Sequence, residues 1–310
     1  MKKVVFFVDY EWALGSIHYE LCKRLWEHGI DCQVLPWHRV YNSLEIQELS
    51  ASIDLWVTLP QGWDALKSYG ITSPEKVVLV SHAVVDLHKI KDRIPVNEFL
   101  GFRKVSVVSN FLQQKAIELN IKRYFHVTPV GVNTERFKCD PSLSLKTVGY
   151  GGMFINRRDS KIPPKGEELE PRFRKRSYLA EEAANQAGLR FIAASSYHTT
   201  QVAMASYYRM VDCIIIPSME EGAGLPALEA GASGRLVIGT NVGHWSDRIG
   251  QDGGIMAPLD EEAFMPFVVN MLKFYKEEPV EYQKRCWEIL NHAKHYDWNH
   301  CIDEWVKLME

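Results

Sequence analysis

The chain predicts two doubly wound α/β domains in tandem, and three observations carry that prediction. Short apolar runs of strand length recur along its 310 residues, each bounded by glycine, proline or small polar residues. Segments of helical periodicity alternate with them, which is the pattern of parallel sheets with helices on both faces. The runs are nearly continuous rather than alternating in hydrophobicity, as strands covered on both sides require. Length and composition agree: 46% hydrophobic and 24% charged residues describe a globular protein with room for two cores. The net charge of −3 gives no general attraction to nucleic acid or anionic lipid.

Val4 to Val8 is the first predicted strand. Two lysines precede it, but Asp9 ends the apolar run too early for a signal peptide. Leu14-Gly15-Ser16 is expected as a loop, followed by a helix to about His28 with Ile17, Leu21 and Leu25 on one face and Gly29 as its stop. Further strands are expected at Cys32 to Leu35, Ile53 to Thr58, Val77 to Val80, Val105 to Val108 and Phe125 to Val130. The fourth ends at Ser81-His82, and the fifth at Ser109-Asn110 before a helix to about Leu119. Asp140-Pro141-Ser142 has linker composition, placing the first domain at 1–140.

A second series follows over 141–293, with strands at Leu145 to Gly149, Leu189 to Ala194, Cys213 to Ile216, Leu236 to Gly239 and Gly254 to Met256. Helices are expected at about Ser177 to Gln186, Gln201 to Val211 and Leu225 to Ala232, then at Glu261 to Tyr275, Glu281 to Ala293 and Trp298 to Met309. Asp297 suits the N-cap of the last. Ligands of open α/β sheets bind at the carboxyl ends of the strands, so two such domains facing a central cleft would bury a ligand there. The six cysteines form no CxxC pair and read as reduced thiols, which points to the cytoplasm. No apolar stretch approaches membrane-spanning length, so membrane contact is expected to be at most peripheral.

The richest stretch is DCIIIPSMEEGAGLPALE, Asp212 to Glu229. A buried strand, a Gly222-Ala223-Gly224 turn and a helix beginning near Leu225 make an anion-binding geometry, since early helical N–H groups and the dipole favour negative charge. Glu220 and Glu221 would repel a phosphate at that turn, but they suit hydroxyl groups beside it, as on a nucleotide sugar. Taken alone, Glu221 and Glu229 could be a solvated helix face; the turn and the buried strand argue otherwise. GAGLPA also matches the dinucleotide fingerprint GxGxxA, which would make the protein a nicotinamide- or flavin-dependent oxidoreductase. Against that, the next strand ends at Thr240-Asn241 with no acid for the adenosine ribose. No pair of His or Cys has metal-ligand spacing, and no Asp-x-Asp occurs.

GVNTERF (Gly131 to Phe137), PSMEEGAGLPALEA (Pro217 to Ala230), GTNVGHWSDRI (Gly239 to Ile249), SHAVVDLH (Ser81 to His88) and YDWNHCIDEWVKLM (Tyr296 to Met309) together resemble the retaining glycosyltransferases of family 4. The resemblance covers almost the whole chain and is strongest at the two glutamates flanking the GxGLP turn. It implies the GT-B fold, two Rossmann-like domains facing a cleft, with a final helix at 294–310 crossing back to the first. It implies a metal-independent enzyme without cofactor that moves a sugar, with retention, from a nucleotide-sugar donor, UDP-sugar or GDP-sugar. The acceptor is a hydroxyl of a glycan, lipid-linked or small-molecule acceptor. Carried over by position, Glu229 would accept from the ribose hydroxyls and Glu221 would hold the donor sugar. The N–H groups of Gly222, Ala223, Gly224 and Leu225 would meet sugar and phosphate oxygens. Gly15 and Ser16 would face the pyrophosphate, and His82 would lie near the transferred sugar.

The chain departs from the family where the second domain begins. An arginine and a lysine there stabilise the pyrophosphate leaving group. Met153 stands where the arginine is expected, Lys165 before Gly166 matches the lysine, and Arg157 or Arg158 is the candidate replacement guanidinium. A non-catalytic sugar-nucleotide-binding relative, a phosphorylase or an epimerase are the alternatives within the fold. The basic run Arg172 to Arg176 reads as a solvated face, or with Arg157, Arg158, Lys161 and Lys165 as a patch for an anionic acceptor. Trp12, Trp37 and Trp63 read equally as core aromatics or as stacking surfaces for an acceptor sugar.

Overall fold

A computed structural model describes residues 1–9, 12–152, 154, 174–197, 203–243 and 253–310. The chain divides into two compact units: Met1–Gly131 together with Trp298–Glu310, and Val132–Asp297.

In the first unit six parallel strands form one sheet: β1 (Lys2–Val8), β2 (Ile30–Pro36), β3 (Leu55–Thr58), β4 (Val77–Ser81), β5 (Lys104–Val107) and β6 (His126–Val127), in the order β2-β1-β3-β4-β5-β6. The apolar run Val4 to Val8 is at most 2% exposed, because helices cover both faces of this central strand. The covering helices are α1 (Trp12–Glu27), α2 (Ser43–Ser52), α3 (Pro60–Ser68), α4 (Val84–Arg93), α5 (Val96–Gly101) and α6 (Asn110–Glu118). Asn42 caps α2 and Ser109 caps α6, each accepting a main-chain N–H of the first turn.

Several elements differ from the sequence expectation. The strand expected over Phe125 to Val130 pairs only at His126 and Val127, opposite Ser106 and Val107. It lies at the sheet edge, and Pro129 has no N–H to extend it. Helices α2, α3, α4 and α5 occupy stretches the sequence left unassigned. Gly15 and Ser16 are not in a loop: they are helical residues near the start of α1.

The first unit is completed by the last helix, Trp298–Met309, which buries Trp298, Cys301, Ile302, Trp305, Leu308 and Met309 along one stripe. Trp305 Nε1 donates to the Pro129 carbonyl at 2.9 Å. Gly131 is the only residue type that fits beneath Trp298, since an added Cβ would stand 2.7 Å from the indole. Lys2, Arg103 and Lys104 donate to the main-chain oxygens of Met309, Glu310 and Lys307, placing positive charge at the helix's negative end.

The second unit holds five parallel strands, β7 (Thr147–Tyr150), β8 (Arg190–Ala193), β9 (Cys213–Ile216), β10 (Leu236–Thr240) and β11 (Ile255–Ala257), in the order β11-β10-β9-β7-β8. Its helices are α7 (Thr134–Phe137), α8 (Tyr178–Gln186), α9 (Met204–Arg209), α10 (Leu225–Ala232), α11 (Glu261–Glu277) and α12 (Pro279–Ala293); the final helix described above is α13. Alternate residues of β9 serve opposite cores. Ile215 packs with α8 and α11 residues such as Leu179, Phe264 and Leu272, whereas Ile214 and Ile216 join Tyr207, Tyr208, Leu228 and Ile289. Asp297 accepts from the Thr134 N–H and hydroxyl at 3.2 and 2.5 Å.

Each sheet reverses its winding direction once, between β1 and β3 in the first and between β7 and β9 in the second. Such switch points open a crevice at the strands' carboxyl ends. Among the described residues the cysteines are free thiols, and no helix is long and apolar enough to cross a membrane.

Candidate functional site

The segment after β9 opens at the second sheet's switch point. Pro217 and Ser218 leave the strand, Glu220 and Glu221 follow, and Gly224 takes a left-handed conformation (φ 77°) as the N-cap of α10. Glycine adopts that φ without strain, which explains Gly224. Pro226 lies in the first turn of α10, where its missing N–H costs nothing. Ala227 onward is buried, and Glu229 is 5% exposed.

A carboxylate so far from water needs donors. One is the hydroxyl of Tyr208 on α9, which donates to Glu229 Oε2 at 2.9 Å. Burial and the facing carboxylate push the Tyr208 phenol well above its ordinary pKa, so it stays protonated and able to donate. The end of β7 makes room for this pair. A Cβ on Gly151 would stand 2.9 Å from Pro226 and 3.0 Å from Tyr208 Oη, and one on Gly149 would stand 2.5 Å from Tyr207 Oη. Gly151 thus seats the Tyr208 hydroxyl beside Pro226 at the start of α10, while Gly149 makes room for the Tyr207 hydroxyl, which donates to the Ile192 carbonyl.

Glu221 is held from two sides. Ser218 Oγ donates to its Oε1 at 2.7 Å, and Lys175 Nζ pairs with Oε2. Ser218 is itself fully buried, and Thr240 at the end of β10 donates to its carbonyl. Gly243 (φ 60°) brings the loop after β10 against the turn: a Cβ there would lie 2.9 Å from the Ala223 carbonyl oxygen and 3.1 Å from Glu221 Cβ. Arg174 Nη1 lies 3.4 Å from Glu220 Oε2. The described part of the basic run therefore does not face solvent as a free patch. Arg174 and Lys175 are paired to the two acids, and Arg176, 5% exposed, donates to the carbonyls of Pro217 and Leu259 at 2.6 and 2.8 Å.

In the first unit His82 follows β4, next to a carboxylate that fixes the main chain. Asp86 Oδ2 accepts the N–H groups of His82 and Ala83 at 2.8 and 3.0 Å. The His82 ring meets the ring of His18 on α1 edge to face, with centroids 5.7 Å apart, and His18 in turn tilts against Phe6 at 5.5 Å. Loss of surrounding water lowers the His82 pKa to about 4; the same effect, with His82 nearby, lowers that of the buried His18 to about 3. Both rings are neutral at pH 7.

The structure thus places Glu221, Gly222, Ala223, Gly224, Leu225 and Glu229 on one strand–turn–helix segment, and Gly15 and Ser16 within α1, the helix that carries His18. Lys165, Arg157, Arg158 and Met153 lie outside the described residues, as do Lys161, Arg172 and residues 244–250. Trp63 is a core residue, 1% exposed against Phe102 with ring centroids 5.3 Å apart, and its indole N–H donates to Glu98. Lys175, Ser218, Tyr208 and His18 were not legible as site residues. Tyr208 and Lys175 come to the acids from elements 21 and 46 residues away, and no local pattern marks them. Among the described residues no group of three His, Cys, Asp or Glu could hold a metal ion.

Residues 172–273 match the family model described as glycosyl transferases group 1. That span holds both glutamates and the turn between them. No curated protein matches the chain in sequence. Solved structures match it over nearly its whole length. The sucrose-phosphate synthase of Thermosynechococcus elongatus aligns at 12% identity and a TM-score of 0.71, over 99% of this chain and 98% of its own. Starch synthase IV of Arabidopsis thaliana, bound to ADP and acarbose, aligns at 12% identity and 0.69, over 99% and 98%. Anabaena HepE in complex with UDP and glucose aligns at 14% identity and 0.67, over 99% of both chains. The two parallel sheets of this chain have the GT-B fold of these glycosyltransferases.

Proposed function

We propose that the protein is a glycosyltransferase that takes a sugar from a nucleoside-diphosphate donor to an acceptor hydroxyl with retention and without a metal ion. The observation that carries this reading is the buried Glu229 carboxylate, fixed by Tyr208 at the start of α10, directly after a left-handed glycine turn. A carboxylate held in one orientation by a phenol suits the vicinal diol of a ribose, which it can accept in a bidentate way. The main-chain N–H groups of Gly222 to Leu225 precede the first helical hydrogen bond and suit an anion beside that diol. Glu221 lies at the other end of the turn, where the donor's sugar hydroxyls would follow its phosphates. HepE with UDP and glucose, and starch synthase IV with ADP, support a nucleotide-sugar ligand for this fold.

In this reading the chain works by positioning and by favouring charge on the departing diphosphate. His82 contributes a neutral imidazole that can hydrogen-bond the sugar without adding charge. The leaving-group cations are assigned to Lys165 and to Arg157 or Arg158. The acceptor is a glycan, lipid-linked or small-molecule hydroxyl.

The test is a calorimetric titration with UDP, GDP and ADP, followed by donor hydrolysis with the matching nucleotide sugars in EDTA. One nucleoside diphosphate is expected to bind, and Glu229→Gln to weaken it by about tenfold to a hundredfold, a charge-assisted hydrogen bond being worth ~1.5–3 kcal/mol. Stabilisation by NAD or NADP with no response to any nucleoside diphosphate would overturn the reading. An inverted anomeric centre in the product, seen by NMR, would overturn retention, and loss of activity in EDTA would overturn metal independence.

A further inference from the structure

We propose that His18 is a positioning residue that holds the His82 imidazole at the crevice of the first unit. The inference rests on the donor reading above and adds a residue outside the donor-binding segment. His82 follows β4 and is half-buried, open enough to meet a ligand, whereas His18 is 1% exposed and cannot. Whatever His18 does for a ligand passes through its neighbour. The two rings stand at 69° with centroids 5.7 Å apart, and His18 also tilts against Phe6 of β1 at 5.5 Å. Strand β3 lies between β1 and β4 in the sheet, so the contact reaches from α1 across the switch point to the end of β4. The main-chain carbonyls of Asp9, just after β1, and Leu14, one turn back along α1, approach the same ring and account for an imidazole there in place of a phenyl.

Two restraints divide the work. Asp86 Oδ2 accepts the N–H groups of His82 and Ala83 at 2.8 and 3.0 Å, which fixes the main chain but leaves the side-chain torsions free. The second side-chain torsion of histidine is broad, so the ring turns unless it is packed. His18 supplies that packing, since edge-to-face rings attract through their quadrupoles and hold each other's planes. Both rings are neutral at pH 7, so no like-charge repulsion opposes the contact. In the donor reading, a His82 ring held in one plane presents its nitrogen to a sugar hydroxyl along one direction. A ring free to turn meets that hydroxyl in only some of the bound states, which slows the chemical step. The nucleotide belongs to Glu229 and the turn of the second unit, so its affinity does not depend on His18.

The experiment compares His18→Leu, which fills the space without a ring, and His18→Phe, which restores a ring edge, with the parent. The first readout is the order parameter of the His82 Cε1–H group, from carbon relaxation of histidine-labelled protein. It is expected to drop in His18→Leu and to return in His18→Phe. The second is hydrolysis of UDP-glucose, GDP-mannose or ADP-glucose, whichever carries the nucleotide that binds. His18→Leu is expected to lower kcat about fivefold, the factor for one aromatic pair, with KM and nucleotide affinity within about twofold of the parent. His18→Phe is expected to recover most of that loss. In a His82→Ala background His18→Leu is expected to lower kcat no further, a non-additivity that a general loss of structure does not produce. His18→Met serves should His18→Leu fail to fold. An unchanged order parameter or an unchanged kcat in His18→Leu would overturn the proposal, as would a kcat loss that persists in full without His82. A parent that binds no nucleoside diphosphate refutes the donor reading instead, and the order parameter still tests the hold on His82.

Discussion

Removing one oxygen from Tyr208 tests whether Glu229 is held as described. Tyr208 is fully buried, and its hydroxyl donates to a carboxylate that is 5% exposed, at 2.9 Å. Tyr208→Phe deletes that donor and leaves the ring in place, so packing changes little. Hydrogen bonds to charged groups contribute about 1.5–3 kcal/mol net, and no water replaces the donor at this depth. The expected loss of stability is therefore ~2 kcal/mol, which for a domain of this size lowers the melting temperature by roughly 4–8 °C. Urea unfolding followed by tryptophan fluorescence gives the number directly. The decisive comparison is a double-mutant cycle with Glu229→Gln. With no buried charge to satisfy, Tyr208→Phe is expected to cost less than half as much, giving a coupling energy of about 1 kcal/mol or more. Additive costs in the cycle, or a Tyr208→Phe loss below about 0.5 kcal/mol, would refute the claim that this phenol holds the carboxylate.

His18 and His82 have folded pKa values of about 3 and about 4, below the unfolded value near 6.5, so between those limits the unfolded chain takes up protons that the fold refuses. Stability is thus full above pH 6.5 and falls as pH drops, by up to ~1.4 kcal/mol per unit for each ring; a urea midpoint that stays flat from pH 7 to 5 contradicts this, and His18→Phe is expected to halve the slope. Gly151→Ala forces a Cβ to within 2.9 Å of Pro226 and 3.0 Å of the Tyr208 hydroxyl, with an expected cost of ~1–3 kcal/mol and weaker nucleotide binding. Gly29→Ala is the control, since its Cβ meets nothing within 4 Å and only its φ of 76° is strained. Arg176→Met strips two carbonyls, those of Pro217 and Leu259, of their donor and is expected to destabilise by ~3 kcal/mol by urea melts, against near-silence for Lys307→Met, which breaks only the exposed pair with Glu304.

The sequence predicted best where local signals agreed. Cys213–Ile216 and Leu225–Ala232 were read with their observed limits, because an unbroken apolar run meets a glycine–proline helix start there. It failed where the deciding partner is distant. Phe125 to Val130 is apolar enough for a central strand, yet the fold places it at an edge beside a proline. Gly15 and Ser16 spell a turn, and the surroundings of α1 override that spelling. In α2 only Ile46 is buried, so its helical period is faint and the Asn42 cap is its main signal. The two glutamates were legible from the turn that separates them. Their partners were not: a basic run such as Arg172 to Arg176 ordinarily marks a solvated face, and only the fold shows its last three members bound to the acid loop.

The first unit is interrupted in the chain, and that has a cost during synthesis. Its sheet is spelled out by residue 127, but Trp298–Met309, with the Trp305 bond to Pro129 and the cations gathered at its end, arrives only after the second unit has been made. At ribosomal rates of about 5–20 residues per second, the surface awaiting that helix stands open for roughly ten to thirty seconds. The second unit, continuous from Val132 to Asp297, is itself complete only twelve residues before Met309, so both units reach their final form close together at the end of synthesis. The apolar surface of the earlier half thus stays uncovered through most of elongation, although its own strands are made first.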